Sequence, residues 1–453
     1  MKSRARIFLA RTTAARMATL AAIACAAIAL PLIPASAGRA TGQGAQATTK
    51  IIAIHVTGNK RFAEAQVVAA SGLRIGDPAA EASLNDAASR LAQSGAFSDV
   101  GYQYRSNAGG WEAEFQVVEA AYFLPCTFDN FIWFSDADLI AATRSEVPLF
   151  DGSLPAGEGG LKNAVVAALN HYLLAHQVAG STAVTAASDN LGGKLSTFLV
   201  RVSNVQMPVL RFEIAGGPLD STKVVAAAQG ALGSAYSRRA SQLIARSGFT
   251  EAYQEEAYLQ PKFSEPQPVM VDPAGKDLSQ GLIVRFTVAA GPKYSWNGVS
   301  WHGNQALSAA DLAKAVSFSA GEPARRSKLL AGWDAANAEF QNRGYLSVKV
   351  EPTPNYNDAT ATVSYDVQVT EGAQFAMGDL TVDDPSEKVA QDVAAAWPLK
   401  KGEVYDMSRE REFQRTGLSR VLAHDGAPRR SISLSHDLHP DTRVANVLIR
   451  TAK

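Results

Sequence analysis

One order of predicted secondary structure occurs twice in this 453-residue chain, at 51–120 and at 294–372. In each segment a stretch of alternating apolar residues ends at a Gly-Asn pair, two helical stretches follow, and two further alternating stretches complete the segment. The asparagine lies 36 residues before the glycine that ends the second helix in the first copy (Asn59 to Gly95) and 40 residues before it in the second (Asn304 to Gly344). This agreement in order and spacing predicts a chain built from small repeated units.

The end of the second helix has the same pattern in both copies. Gly95 is followed by Phe97 and Gly344 by Tyr345, which is typical of a left-handed glycine cap with an apolar residue that packs back on the helix. A weaker copy has Ala257-Tyr258-Leu259 at this point, which predicts a cap made differently.

The same order extended along the chain predicts a linker at 38–50 and five units. These are unit 1 (51–120), unit 2 (121–208), unit 3 (209–292), unit 4 (293–372) and unit 5 (373–453). The expected fold class is α+β, with tandem βααββ units that each place two helices on one face of a three-stranded mixed sheet. In unit 2 the first strand is predicted at Cys126–Trp133 and a flexible inter-helix loop at Gly152–Gly160, and in unit 3 a long exposed loop at Pro266–Pro273.

The N-terminus predicts a secretory signal peptide. Residues 1–16 hold five basic residues and no acid, 17–33 are apolar, and Ala35-Ser36-Ala37 supplies small residues for cleavage after Ala37. The alternative is an uncleaved membrane anchor, because this apolar stretch reaches the lower length limit of a membrane span. Cleavage removes five bases from a chain with 43 basic and 43 acidic residues, so the mature chain is expected to be mildly acidic.

Composition excludes several classes of protein. With 47% hydrophobic residues and no excess of basic residues, the chain is neither wholly disordered nor a typical nucleic-acid binder. Cleavage would remove Cys25 and leave Cys126 alone, so no internal disulfide is expected. Cys126 lies in an apolar stretch and is interpreted as a small buried hydrophobe.

No motif of a common enzyme class is present, and neither a catalytic site nor a cofactor is predicted. His424, His436 and His439 form the tightest histidine group, but a solvated loop explains them better than a metal site. Trp296, Trp301 and Trp333 fit either a ligand pocket or the core of unit 4, and the core is favoured.

Units 1 and 4 resemble POTRA domains. The motifs are Val56-Thr57-Gly58-Asn59, Gly95-Ala96-Phe97 and Val117-Val118-Glu119 in unit 1, with Trp301-His302-Gly303-Asn304, Gly344-Tyr345 and Val369-Thr370-Glu371-Gly372 in unit 4. Such domains form the periplasmic arms of BamA-type outer-membrane protein assembly factors, which continue into a C-terminal β-barrel. Only Thr451-Ala452-Lys453 follow the last predicted strand, so an arm without a barrel is expected here.

The resemblance implies that the second strand of each unit lies at a sheet edge and the third at the centre. An open edge can accept an extended polypeptide as an added strand. We therefore predict edges that bind client proteins at Val100–Arg105, Leu259–Phe263 and Ser347–Val350, with Pro352 ending the last. The candidate residues are Val100, Tyr102, Tyr104, Leu259, Gln260, Phe263, Ser347, Val348 and Val350. The alternative is that any of these edges is blunted, solvated or covered by the neighbouring unit.

The resemblance further implies a periplasmic scaffold, peripheral to the outer membrane, that assists outer-membrane protein assembly or translocation. Its expected partners are unfolded outer-membrane proteins and an outer-membrane β-barrel protein, with no nucleic acid and no small-molecule substrate. Two alternatives stay open. One is a cell-envelope structural or division-type protein held by an uncleaved anchor, and the other is a periplasmic enzyme, which no motif supports.

Overall fold

The computed structural model describes residues 2–6, 49–188, 193–272, 280–418, 420–421 and 431–452. They belong to two compact parts, Met1–Gln206 and Met207–Lys453. The predicted cleavage residues Ala35 and Ala37 and the histidine His424 lie outside the described residues. Among the residues described, no helix is both long and apolar enough to cross a membrane.

The N-terminal part contains the helices and strands of units 1 and 2. In chain order these are β1 (Lys2–Arg6), β2 (Ile51–Thr57), α1 (Glu64–Ser71), α2 (Glu81–Gln93), β3 (Phe97–Asn107), β4 (Gly110–Glu119), β5 (Phe123–Phe128), α3 (Asp136–Glu146), β6 (Ser153–Pro155), α4 (Leu161–Ala175), β7 (Ser181–Ala187) and β8 (Thr197–Ser203).

The C-terminal part contains the elements of units 3, 4 and 5. These are β9 (Val209–Ala215), α5 (Ser221–Val225), α6 (Arg238–Ile244), α7 (Thr250–Glu255), β10 (Lys262–Phe263), β11 (Gln267–Met270), β12 (Leu282–Ala289), β13 (Ser295–His302), α8 (Ala309–Val316), α9 (Arg326–Gln341), β14 (Lys349–Asn357), β15 (Thr362–Thr370), β16 (Ala376–Asp383), α10 (Glu387–Ala396), α11 (Met407–Glu412), β17 (Ser431–His439) and β18 (Val444–Ala452). A π-helical turn at Ala245–Phe249 joins α6 to α7, and another at Phe413–Gly417 follows α11.

Each unit has the predicted mixed sheet. The third strand is central, with the first strand parallel to it on one side and the second antiparallel to it on the other. The central strands are β4, β8, β12, β15 and β18. Short additions widen two of the sheets, because β6 pairs with β5 in unit 2 and β1 pairs with β3 in unit 1. The predicted α+β class is confirmed.

The central strand of unit 4 shows why this order forms. In β15 the residues Val363, Tyr365, Val367 and Val369 are buried and alternate with less buried ones, so one face of the strand packs under the helices. The tryptophans belong to the same core: the ring of Trp296 stacks at 4.6 Å on Phe318 and at 5.6 Å on Tyr365. The core interpretation of these tryptophans is therefore confirmed.

Three loop and strand predictions are wrong in detail. Gly152–Gly160 contains the short strand β6, and the described part of Pro266–Pro273 contains β11, because each of these strands pairs through its backbone with a neighbouring strand. The first strand of unit 2 is Phe123–Phe128 and not Cys126–Trp133, since its parallel pairing with β8 ends at Phe128.

The Gly-Asn pair makes the turn after the first strand in units 1 and 4. Gly58 and Gly303 have φ of +86° and +82°, and a Cβ on either would lie 2.1 or 2.3 Å from a carbonyl oxygen of the central strand. The asparagine side chain then closes the turn, since Asn59 Nδ2 donates to the Phe62 carbonyl at 2.9 Å. Asn304 Nδ2 makes the equivalent 2.9 Å bond to the carbonyl of Leu307. These motif residues have a structural role in the turn.

The glutamate at the end of the central strand completes this turn. Glu119 Oε1 accepts hydrogen bonds from the backbone N–H groups of Lys60, Arg61 and Phe62 at 2.8, 2.8 and 3.2 Å. In unit 4, Glu371 Oε1 accepts from the N–H of Ala306 at 2.7 Å. In units 1 and 4 a carboxylate therefore joins the end of the central strand to the turn after the first strand.

We expect Glu119→Ala to destabilise unit 1 by about 1–2 kcal/mol, because three backbone donors lose a charged acceptor and water replaces it only in part. Hydrogen exchange at residues 58–63, measured by mass spectrometry, would report the loss. The matched control is Glu112→Ala on the same strand, where the carboxylate accepts from the exposed side chain of Asn107. Equal effects of the two substitutions would contradict the role given to Glu119.

The helix cap predicted to differ in unit 3 is in fact the same. Ala257 adopts the left-handed conformation (φ +67°) that Gly344 adopts in unit 4 (φ +86°). In both caps the next N–H donates back into the helix, from Tyr258 to the Tyr253 carbonyl and from Tyr345 to the Phe340 carbonyl. The prediction of a different cap is wrong because alanine tolerates this conformation at a cost of about 1–2 kcal/mol.

Candidate functional site

The candidate site is the set of sheet edges formed by the second strands; in unit 1 this strand, β3, also pairs with the added strand β1. An antiparallel edge strand exposes the N–H and C=O groups of every second residue, those of its non-hydrogen-bonded pairs. The central strand also makes hydrogen bonds on its other side, away from the edge strand. These bonds show which of its residues, and therefore which of their partners on the edge strand, form the non-hydrogen-bonded pairs. In unit 1, Trp111 donates its N–H to Lys50 at 2.9 Å, away from β3, so Ser106, the partner of Trp111, directs its own backbone groups outward.

Along β3 every second residue directs its backbone N–H and C=O groups outward, and all three predicted candidates of unit 1 are among these residues. Val100, Tyr102 and Tyr104 pair with Val117, Phe115 and Ala113, which have the same phase as Trp111. Their side chains point toward the helices: Val100 and Tyr102 are 2% and 6% exposed, and the ring of Tyr104 stacks at 4.1 Å on Trp111. These residues therefore present backbone groups, and not side chains, to the edge.

The outer face of the unit 1 sheet is polar. Gln103 Nε2 donates to Glu114 Oε2 at 2.7 Å, and this bond holds the pKa of the Glu114 carboxyl below its usual range. A cavity of about 200 Å³ lies against this face beside His55, Arg105 and Glu112. Side chains of an added strand that point to this face would meet polar and charged groups.

The predicted edge of unit 3 is largely wrong. Its strand begins at Lys262, and Leu259 and Gln260 precede it. Leu259 is 7% exposed and packs in the core of unit 4, and Gln260 Nε2 donates to the hydroxyl of Tyr294 at 2.9 Å. Of the three predicted residues, Phe263 alone lies in the strand, where it pairs with Val288. The neighbouring unit covers the rest, because this segment forms the junction with unit 4.

At the same junction, Tyr294 donates hydrogen bonds from both its backbone and its side chain. Its N–H donates to the carbonyl of Ala257 at 2.8 Å, and its hydroxyl donates to Asp358 Oδ1 at 2.5 Å. Burial, reinforced by Asp358, raises the pKa of Tyr294 to about 12, so the hydroxyl stays protonated and able to donate at neutral pH. The segment around Gln260 is thus a structural contact between units 3 and 4.

The predicted edge of unit 4 is also displaced. Ser347 and Val348 precede β14, which begins at Lys349, so Val350 alone of the three candidates lies in the strand. Pro352 does not end the pairing, because β14 continues through Pro352 and Pro354 to Asn357. A proline is tolerated in an edge strand where its missing N–H would point away from the neighbouring strand.

The edge of unit 5 carries a buried polar cluster that the sequence did not reveal. His436 lies on β17, and its Nε2 is 2.8 Å from Glu410 Oε2 and 3.1 Å from the hydroxyl of Tyr405. Glu410 is 1% exposed and also accepts from Tyr405 and from Gln414 Nε2. Burial, followed by the contact with Glu410, raises the pKa of Tyr405 above its ordinary value. One signal in the sequence could have indicated this cluster: the glutamate of α11 at position 410, whose side chain faces the core.

Among the described residues, the other candidates for chemistry do not come together in a reactive or metal-binding site. Burial raises the pKa of the Cys126 thiol to about 12, so the reactive thiolate is scarce at neutral pH. His439 Nε2 contacts Asp437 at 3.0 Å on the exposed face of β17, apart from the cluster around His436. In the part of the chain that the structure describes, no three His, Cys, Asp or Glu side chains converge in a way that would hold a metal ion.

Comparison with known proteins identifies one segment. Residues 294–372 match the family model "POTRA: Surface antigen variable number repeat" and are a POTRA domain, which confirms the resemblance noted for unit 4. Among curated proteins none matches this chain.

Solved structures of POTRA segments resemble the chain. POTRA3-5 of Haemophilus influenzae BamA is 14% identical and matches 55% of this chain and 96% of its own, with a TM-score of 0.41. POTRA1-3 of Omp85 from Anabaena is 16% identical and matches 54% of this chain and 94% of its own, with a TM-score of 0.26. POTRA4 of Haemophilus influenzae BamA is 26% identical over 18% of this chain and 93% of its own, with a TM-score of 0.17.

Proposed function

We propose that the chain is a periplasmic scaffold of five POTRA-like units that binds extended segments of unfolded outer-membrane proteins by β-strand addition. It thereby assists the assembly or translocation of those proteins. The POTRA domain at 294–372 supports a role as a scaffold for protein partners, and the predicted signal peptide supports export to the periplasm. The five-unit division is part of this proposal.

The observation that carries the proposal is the edge of unit 1. Along β3, Val100, Tyr102, Tyr104 and Ser106 direct a continuous row of backbone donors and acceptors outward, with no proline among them. Backbone pairing is largely independent of sequence, so one edge can accept many clients whose strands alternate in polarity. Buried side chains under β3 fix the strand in place, so the edge is ordered before a client arrives.

The pairing of β1 supports the accessibility of this edge. Lys2–Arg6 lies antiparallel along β3, with Ala5 opposite Tyr102 and Lys2 opposite Arg105. The backbone of β3 can therefore accept a further strand without losing its pairing with β4. Because residues 2–6 belong to the predicted signal peptide, cleavage would leave the edge free for another segment.

Site-specific photocrosslinking tests the proposal. We expect a photoreactive residue at Arg105 to capture a urea-unfolded outer-membrane β-barrel protein after dilution, at least about tenfold more efficiently than one at Asn85, since an added strand places its side chains beside those of β3. Asn85 is an exposed position on α2 of the same unit and serves as the matched control.

The same client refolded in detergent should not be captured at Arg105, because its strands are already paired. Equal capture at Arg105 and Asn85 would show that unfolded chains adhere without strand addition, and the proposed mode of binding would then be wrong.

A further inference from the structure

A Pro-x-Pro segment lies within one edge strand and another overlaps the start of a second. In unit 4 it is Pro352-Thr353-Pro354, inside β14. In unit 3 it is Pro266-Gln267-Pro268, at the start of β11. Proline has no N–H to offer, and its ring occupies the space where that hydrogen would point. What these prolines do therefore depends on whether their missing donors face the sheet or the open edge.

In unit 4 the missing donors face the open edge. Ser295 donates its N–H to the carbonyl of Ala361 at 2.9 Å, which sets the phase of the central strand: Ala361 and every second residue after it face β13. Tyr365 and Val367 have this phase, and their partners on β14 are Pro354 and Pro352. Both prolines are thus at non-hydrogen-bonded pairs, and two successive outward donors are absent.

In unit 3 the missing N–H of the proline within the edge strand also faces the open edge. Leu282 donates its N–H to the carbonyl of Pro208 at 2.8 Å, so Leu282 and Val284 face β9. Pro268 pairs with Val284 and therefore directs its missing donor outward. Pro266 removes another donor next to β11, where the second strand is already divided into β10 and β11.

Units 1, 2 and 5 have no such segment, since β3, β7 and β17 contain no proline. The positions can be matched through the hairpin that follows each strand. Tyr104 lies three residues before the closing residue Asn107, as Pro354 lies three before the closing residue Asn357. Tyr102 corresponds to Pro352 in the same way. Unit 1 thus has Tyr-x-Tyr with two outward donors where unit 4 has Pro-x-Pro with none.

We infer that the Pro-x-Pro segments close the edges of units 3 and 4 to strand addition, so that an extended polypeptide is taken only at the proline-free edges of units 1, 2 and 5. For the physiological client this rests on the proposed function, but the closure itself applies to any added strand. An incoming strand at β14 would leave two of its carbonyl groups without donors and meet two proline rings. Each unmade bond lowers affinity about tenfold.

The test opens one edge and closes another in the mature full-length chain. In unit 4, Pro352→Thr/Pro354→Thr restores two backbone N–H donors and introduces threonine, a residue that favours strands. Its control is Glu351→Thr/Asn355→Thr, which changes the alternate residues whose donors face β15. In unit 1, Tyr104→Pro/Ser106→Pro builds a Pro-x-Pro segment and spares the buried Tyr102. Its control, Tyr104→Thr/Ser106→Thr, loses the ring stacking on Trp111 but keeps both donors.

The probe is a short synthetic peptide of alternating valine and threonine, captured by photoreactive residues at Thr353 or Arg105. We expect capture at Arg105 in the otherwise unchanged chain, at least about tenfold less at Thr353, and a gain of at least about tenfold at Thr353 after proline removal. The Tyr104→Pro/Ser106→Pro variant should lose capture at Arg105, and both threonine controls should behave as the parent chain. Hydrogen exchange of the central strand of the altered unit, β4 in unit 1 or β15 in unit 4, confirms that each variant is folded.

Three results would overturn the inference: equal capture at Thr353 and Arg105 in the parent chain, no gain at Thr353 after proline removal, or no capture of the peptide at Arg105. Because the peptide is not a client, these results are separate from those for the proposed function. If the peptide is captured as expected but unfolded outer-membrane protein is not, the proposed function fails and the closure of the edges stands.

Discussion

Replacing Gly303 with alanine is expected to lower the free energy of unfolding of unit 4 by about 3 kcal/mol. Two effects combine. A non-glycine residue at φ +82° costs about 1–2 kcal/mol. The new Cβ would also lie 2.3 Å from the carbonyl oxygen of Val369, and moving the backbone of a central strand costs about 1–3 kcal/mol more. Because the turn and the strand are both held by the core, neither can move away cheaply.

Gly321 offers a matched control in the same unit. Its φ is +81°, but a Cβ there meets no atom within 4 Å. Gly321→Ala therefore carries only the conformational cost, about 1–2 kcal/mol. Hydrogen exchange of peptides from β13 and β15, with other units of the same chain as internal references, would measure both variants. Equal losses would show that the contact with Val369 contributes nothing.

Replacing His436 with alanine is expected to destabilise unit 5 by about 1–3 kcal/mol. Glu410 is buried and would lose one of its partners, while Tyr405 and Gln414 stay in place. Removing one partner of a buried carboxylate costs more than the bond itself, since water cannot fully replace it. The His436 side chain is 25% exposed, so its loss is expected to cost less than the loss of one partner from a fully buried ion pair.

His439→Ala is the matched control for this prediction. His439 is on the same strand, and its contact with Asp437 is exposed, so its loss should change stability by less than about 0.5 kcal/mol. Hydrogen exchange of β16 and β18 would compare the two variants. A second variant, Glu410→Gln, keeps a neutral acceptor for Tyr405 and should be less damaging than His436→Ala. Equal stability of His436→Ala and His439→Ala would exclude a structural role for the buried cluster.

The elements and the turn residues could be predicted because their signals are local. The alternation at Ile52–Val56 and the helix-ending glycine at Gly95 lie within the segments that they shape. Gly58 and Asn59 were identified as motif residues, although the reason that glycine is needed, the carbonyl of Val117, lies far along the chain. Local pattern identified such residues without explaining them.

The edges were predicted less well because their state depends on neighbours. Leu259 and Gln260 look like a continuing strand, yet the next unit covers them. Pro352 looks like a strand end, yet β14 continues, since the missing donor faces outward. A sequence shows that a proline removes a donor, but pairing with a particular partner decides on which side of the strand the donor is lost.

The sequence by itself determined the repeated βααββ order, the mixed sheets and the resemblance to POTRA domains, because periodicity, caps and turns are properties of short segments. Only the tertiary structure decided which edges present backbone donors, which are covered at the junction of units 3 and 4, and that Glu410 and His436 meet. Each of these depends on the phase and position of a strand relative to residues distant in sequence, and a shift of one residue would reverse it.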